Sequence, residues 1–237
     1  MSTTTAATAS SAGASDTRAF WERLWRSAGI QFVGFSIITY AIYGNQPQVG
    51  APADALAAFY GGHRTRILIA AFFASLNMLN LLWFVAALRT TLADAGQDGW
   101  GAAATASSTV VGVVLLLIIA IPAALASSIA GSGNSGLTSG LNDLAWAVFV
   151  LSSLPRAMLI MSGSFGLWRA GLISNALFAA GVAALVLVLV GGSTWLSGGF
   201  WSPSGAYSRF VSPAILLAWI VVVGRALTRS PASHAGW

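Results

Sequence analysis

The charges of this chain are confined to a few places, and between them lie apolar blocks of about 17 to 30 residues, the length that crosses a hydrocarbon core of about 30 Å at about 1.5 Å per residue. That spacing leaves little choice of fold. A helix satisfies its backbone hydrogen bonds within itself, whereas a barrel needs strands of about ten residues with one polar face, and these blocks are continuous rather than alternating. Composition agrees, with 57% of the 237 residues hydrophobic and 7% charged, outside the range of soluble globular domains. The expectation is an all-α, polytopic transmembrane helical bundle with short loops.

Six spans are expected, at about 28–43, 66–89, 103–126, 141–162, 172–190 and 209–227. The first is barely long enough to cross and carries Gln31 near its start. A five-span arrangement with a re-entrant first segment is therefore the alternative. Residues 1–19, rich in Ser, Thr and Ala, read as a disordered tail without the basic start and apolar run of a signal peptide. Residues 20–229 read as one six-helix domain and 230–237 as a C-terminal tail. Within the domain, residues 20–26 alternate aromatic and charged side chains at helical spacing, which suits a short interfacial helix.

The eleven basic residues are all arginines, and anionic lipid headgroups rather than nucleic acid are their expected counter-charge, because no soluble basic face exists. Placing the N-terminus inside puts Arg18, Arg23, Arg26, Arg89, Arg169, Arg225 and Arg229 on the cytoplasmic side, against Arg64, Arg66 and Arg209 outside. Positive charge is retained inside, so both termini are expected to be cytoplasmic in a multi-pass protein of the cell membrane. In the first outer loop, Pro52 is placed to open a short amphipathic helix through Ala53, Leu56, Phe59 and Tyr60, stopped by Gly61, and lying on the membrane. His63, Arg64 and Arg66 follow at the lip of the second span, where Asp143 is expected at the same depth. This outer-lip charge cluster reads either as plain contact with lipid phosphates or as an anion site. The last outer loop is glycine-rich yet carries Trp195, Leu196, Phe200, Trp201 and Tyr207, rings suited to the interface or to a cavity mouth.

Arg156 stands in the apolar run 144–161, where an unpaired arginine costs at least a few kcal/mol (about 2.5–3.5 on insertion scales). Spans two and four run in the same direction. Counting about 1.5 Å per residue puts Asn77 and Asn80 at the depth of Arg156. Ser152 and Ser153 precede Arg156 by four and three residues and share its face. A polar site between the two spans, built from Arg156, Asn77, Asn80, Ser152 and Ser153, is the candidate ligand-binding site. Pro155 strengthens it by freeing the carbonyl of Leu151 and kinking the helix. The plain alternative is an arginine that snorkels toward the cytoplasmic side, or is capped by asparagines and carbonyls, with the asparagines serving as interhelical glue. Ser174, Asn175, Ala176, Ala180, Gly181 and Ala184 read as packing and Pro122 and Pro213 as bends.

Several chemistries are unsupported by the residue inventory. There is no lysine for a Schiff base and no cysteine for disulfide, thiolate or thiol chemistry. Two histidines supply no metal cluster and no bis-histidine haem, so no cofactor, metal or catalytic residue is assigned. Gly131, Gly133 and Gly136 match a dinucleotide-loop spacing but follow no strand. With Phe59-Tyr60 and His63-Arg64 before span two, Asn142-Asp143-Leu144 opening span four and Pro155 within it, the chain is similar to a group of uncharacterised six-span bacterial integral membrane proteins of the domain-of-unknown-function type. That resemblance implies the fold and no activity. Three functional classes stay open: binding or transport of a small amphipathic, anionic or lipid-like molecule, a non-catalytic subunit joining a membrane protein partner or its own copies, and an enzyme acting on a lipid-soluble substrate.

Overall fold

The computed structural model describes residues 24–229; the expected tails over 1–19 and 230–237, and most of the expected interfacial helix over 20–26, lie outside them. Among the described residues there are helices and no strand. They are α1 Ala28–Tyr43, α2 Ala53–Gly62, α3 Arg64–Asp94, α4 Asp98–Ala124, α5 Ser135–Leu151, α6 Ser153–Arg169, α7 Asn175–Val190 and α8 Ser212–Arg229. A π-helical turn, Leu125–Ile129, extends α4 just after Pro122, and another, Tyr207–Val211, opens α8 just before Pro213. Each wide turn sits where a proline removes a backbone donor from the ladder.

Five helical stretches are long and apolar enough to cross a membrane: Arg64–Asp94, Asp98–Ser132, Ser135–Arg169, Asn175–Ser193 and Tyr207–Thr228. Helix α1 has 16 residues, about 24 Å, and falls short by length alone. It nevertheless lies antiparallel along α3. Gly29 abuts Phe84, Phe35 meets Phe73 at 6.4 Å, and Gly44 lies beside the Arg66 guanidinium. The matching stretch of α3, from Phe84 back to Arg66, is about 27 Å long, so α1 occupies the same layer as its partner.

The main core joins α1, α3, α4, α6, α7 and α8 through side chains such as Phe32, Phe84, Leu88, Ile160, Val188 and Ile220. Trp219 is buried at its centre, edge-on to Phe84 at 6.3 Å, with its indole N–H donated to Ser164 Oγ at 2.9 Å. The glycine of Gly163 makes room for that ring: a Cβ there would stand 2.6 Å from Trp219 Cζ2. Trp83, by contrast, is 43% exposed and faces outward from the bundle. Gly181 meets Ser164 across α6–α7, whereas Ala176 and Ala180 are exposed and take no part in packing.

A second, smaller core lies at the end of the bundle that carries the 44–52 and 191–206 loops. The expected short helix forms as α2, and its apolar face is turned onto protein: Leu56 and Tyr60 are buried with Ile67, Leu125 and Ala126. At the α4–α5 turn, Gly133 adopts a left-handed conformation and Asn134 caps α5 by accepting from Leu137 N–H at 3.0 Å. The glycines there make a helix-to-helix turn.

Candidate functional site

Helices α5 and α6 form one apolar stretch broken at Ser152. Pro155 is the cause, because it cannot donate to the carbonyl of Leu151 and its ring crowds that turn. Arg156 follows immediately and is only 3% exposed. Its side chain folds back along its own helix. Nε donates to Ser152 O at 3.1 Å, and Nη2 donates to Phe149 O and to Ser153 Oγ, each at 3.1 Å. The guanidinium also lies over the Phe149 ring at 4.9 Å. Helical side chains lean toward the N-terminus of their helix, which carries this one toward the loop end, so of the plain alternatives snorkelling to the other end is not adopted and capping by carbonyls, at Ser152 O and Phe149 O, is. Among the described residues all these partners are neutral, and no carboxylate offsets the charge.

The expected joint patch with Asn77 and Asn80 is not assembled. Asn77 Nδ2 donates to Phe32 O and Ser36 Oγ, each at 3.0 Å, and Asn80 Nδ2 donates to Asn77 Oδ1 at 3.2 Å. The two Asn77 bonds tie α3 to α1, and Asn80 braces Asn77 from within α3. The reason is lateral rather than vertical. Helix α3 meets α6 through Leu88 at Gly163 and Leu92 at Gly166, and measured from the Leu88 level Asn80 and Arg156 both lie about 10–12 Å further toward the loop end. The two groups share a depth and belong to different helix pairs. Ser152 and Ser153 do accompany Arg156, through Ser152 O and Ser153 Oγ.

Ser153, to which Arg156 donates, faces the α7–α8 junction. A Cβ built on Gly191 would stand 3.2 Å from Ser212 Oγ and 3.3 Å from Ser153 Oγ, so the two hydroxyls flank the same glycine. Ser212 is buried and its Oγ has no hydrogen-bond partner. Beyond it, Thr194 Oγ1 donates to Gly191 O at 2.8 Å and shares a hydrogen bond of 2.8 Å with Ser208 Oγ. Ser208 Oγ in turn reaches Ser202 O at 3.3 Å. Buried hydroxyls thus cluster at the α7–α8 junction, between the 191–206 loop and the Ser153 that the guanidinium holds. The sequence carried a signal for it in Ser208 and Ser212, one helical turn apart at the start of the last apolar block.

At the loop end, the expected charge cluster of His63, Arg64, Arg66 and Asp143 does not form one group. His63 packs edge-on to Phe59 and Arg66 lies over the same ring at 6.0 Å. Asp143 Oδ1 instead accepts from Gly50 N–H at 3.1 Å and from Asn142 Nδ2 at 3.2 Å. The organising residue is Asn142, fully buried, which accepts from Tyr60 Oη at 2.9 Å and donates to Gln48 O at 3.1 Å. Trp146 Nε1 donates to Pro47 O at 2.9 Å, so this indole fastens a loop rather than lying in an interfacial belt. Burial pushes the Tyr60 phenol up to about 12, and the Asp143 charge acts in the same sense. Tyr60 is therefore a neutral donor to Asn142 at physiological pH.

No cluster of three or more metal-ligating side chains occurs among the described residues. The chain matches no family model, and no curated protein or solved structure was found to be similar to it.

Proposed function

We propose that this chain is a multi-pass protein of a cell membrane, crossing six times with both termini cytoplasmic, that binds a small anionic group at Arg156. The group is the charged end of an amphipathic or lipid-like molecule, and the protein holds or passes it without chemistry. The observation that carries this reading is the Arg156 guanidinium, 3% exposed and partnered only by neutral groups. A desolvated cation without a counter-charge gains most from an anion, since Coulomb attraction grows as the local dielectric falls. Ser212 Oγ, buried without a partner and flanking Gly191 as Ser153 Oγ does, supplies an unused donor at the same junction.

The six crossings rest on α1 running beside α3 through the same layer, and the orientation on the arginine bias of seven to three. In that orientation the cluster of hydroxyls opens toward the outer face. The Pro155 kink and the 191–206 loop are the parts whose movement would uncover the guanidinium. Native mass spectrometry of the protein extracted gently from its own membrane tests this, comparing wild type with Arg156→Gln. A small anion or amphiphile carried by wild type and lost in a folded variant is the expected result. A stoichiometric protein partner with no small molecule would reassign the chain to assembly.

A further inference from the structure

A separate feature lies at the loop end, where a cleft of about 450 Å³ is bounded by Gln48, Phe200, Ser202, Ser204, Arg209 and Phe210. Its cation is held rigidly. Arg209 Nη2 donates to Gln46 O at 2.9 Å and the guanidinium stacks over Trp146 at 5.3 Å, while Nε is buried without a partner. No carboxylate lines the cleft. Ser204 Oγ accepts from Val49 N–H at 3.3 Å, which leaves its own hydrogen to donate. Ser202 is already committed to Gly199 O. The floor is preformed, because a Cβ on Gly205 would collide with the carbonyls of Gly199 and Phe200.

The walls are of the opposite character. Phe200 is 57% and Phe210 50% exposed, and each is braced from behind, Phe200 by Tyr207 at 5.8 Å and Phe210 by Tyr40 at 6.2 Å. A fixed cation with a hydroxyl donor beside it, flanked by outward-facing rings at the end of the apolar helices, matches an anionic head carried on an apolar tail. A phosphate accepts from guanidinium and hydroxyl donors together, and aromatic rings favour the boundary where headgroup meets chain. We infer that this cleft binds the phosphate of a phospholipid headgroup, with Arg209 as its counter-charge and Phe200 and Phe210 against the start of the acyl chains. The inference does not depend on Arg156.

The test is a native mass spectrometry titration of the full chain with dihexanoyl phosphatidylglycerol, with dihexanoylglycerol as the phosphate-free arm and inorganic phosphate as competitor. Arg209→Gln removes the cation. Because Arg209 also braces Gln46 and Trp146, Ala206→Trp is the second variant: Ala206 is an exposed helical residue on the cleft, and the indole fills the space with Arg209 in place. One phosphatidylglycerol per chain is expected at this cleft, bound there about tenfold or more weakly by both variants. Equal binding of dihexanoylglycerol, or wild-type affinity in Ala206→Trp, overturns the inference. Displacement of the lipid by an equal concentration of inorganic phosphate overturns the lipid assignment in favour of a soluble anion.

Discussion

Replacing Asn77 by Leu separates the two polar groups that share a depth in this bundle. Asn77 Nδ2 makes two hydrogen bonds to α1, at Phe32 O and Ser36 Oγ, and its Oδ1 accepts the Asn80 amide. Interhelical hydrogen bonds in membranes average about 0.6 kcal/mol, so the pair to α1 contributes about 1.2 kcal/mol. Loss of Asn77 Oδ1 leaves the buried Asn80 amide without its acceptor, which adds about 1–3 kcal/mol. The variant is expected to lose about 2–4 kcal/mol in total, through weaker attachment of α1. The chain has no native cysteine, so one cysteine placed in each of α1 and α3 lets thiol trapping report their separation directly. Ligand retention at Arg156 is expected to survive. An Asn77→Leu protein with wild-type stability and no retained anion would refute the separation and restore a joint site.

Other outcomes follow from single contacts. Gly163→Ala drives a methyl to within 2.6 Å of the Trp219 ring, whose N–H is pinned to Ser164, and overpacking of this kind is expected to lower stability by about 1–3 kcal/mol, read by chemical denaturation in detergent. Ser212→Ala removes a buried hydroxyl without a partner, so thermal stability is expected to hold or rise while anion binding weakens; a fall in both would assign the hydroxyl to packing. The Tyr60 phenol titrates higher in the folded chain, at about 12 against an ordinary 10. Its contribution is complete below pH 10 and lost between pH 10 and 12, on the order of 3 kcal/mol in full. Melting temperature between pH 9 and 11 is expected to fall more steeply for wild type than for Tyr60→Phe.

The helices were legible because an uncharged apolar block of span length admits few alternatives, and even α1 begins and ends at the residues expected from its sequence. The helix after Pro52 was legible from its turn residues. Arg156 declared itself by being a lone cation in an apolar run, and Pro155 by its missing donor. That Arg156 and the asparagines belong to different helix pairs was not legible, because residue counting gives position along a helix and says nothing of which helices are neighbours. The direction of the arginine depended on how helical side chains lean, and the role of Asn142 on a loop more than ninety residues away that folds over it. Ser212 and Gly191 come together only when α7 ends and α8 begins at the level of the kink.

The most direct measurement of the central claim is the melting temperature of the purified protein against increasing concentrations of alkyl carboxylates and alkyl phosphates, for wild type and Arg156→Gln. A ligand that binds only the folded state stabilises it by about 2.7 kcal/mol at a concentration one hundred times its Kd. The account predicts a saturable rise for wild type with at least one of these anions, and for the variant only the part of it that the Arg209 cleft supplies and Arg209→Gln removes, with uncharged alkyl alcohols inactive on both. Equal shifts in wild type and Arg156→Gln, or no shift with any anion, would contradict it.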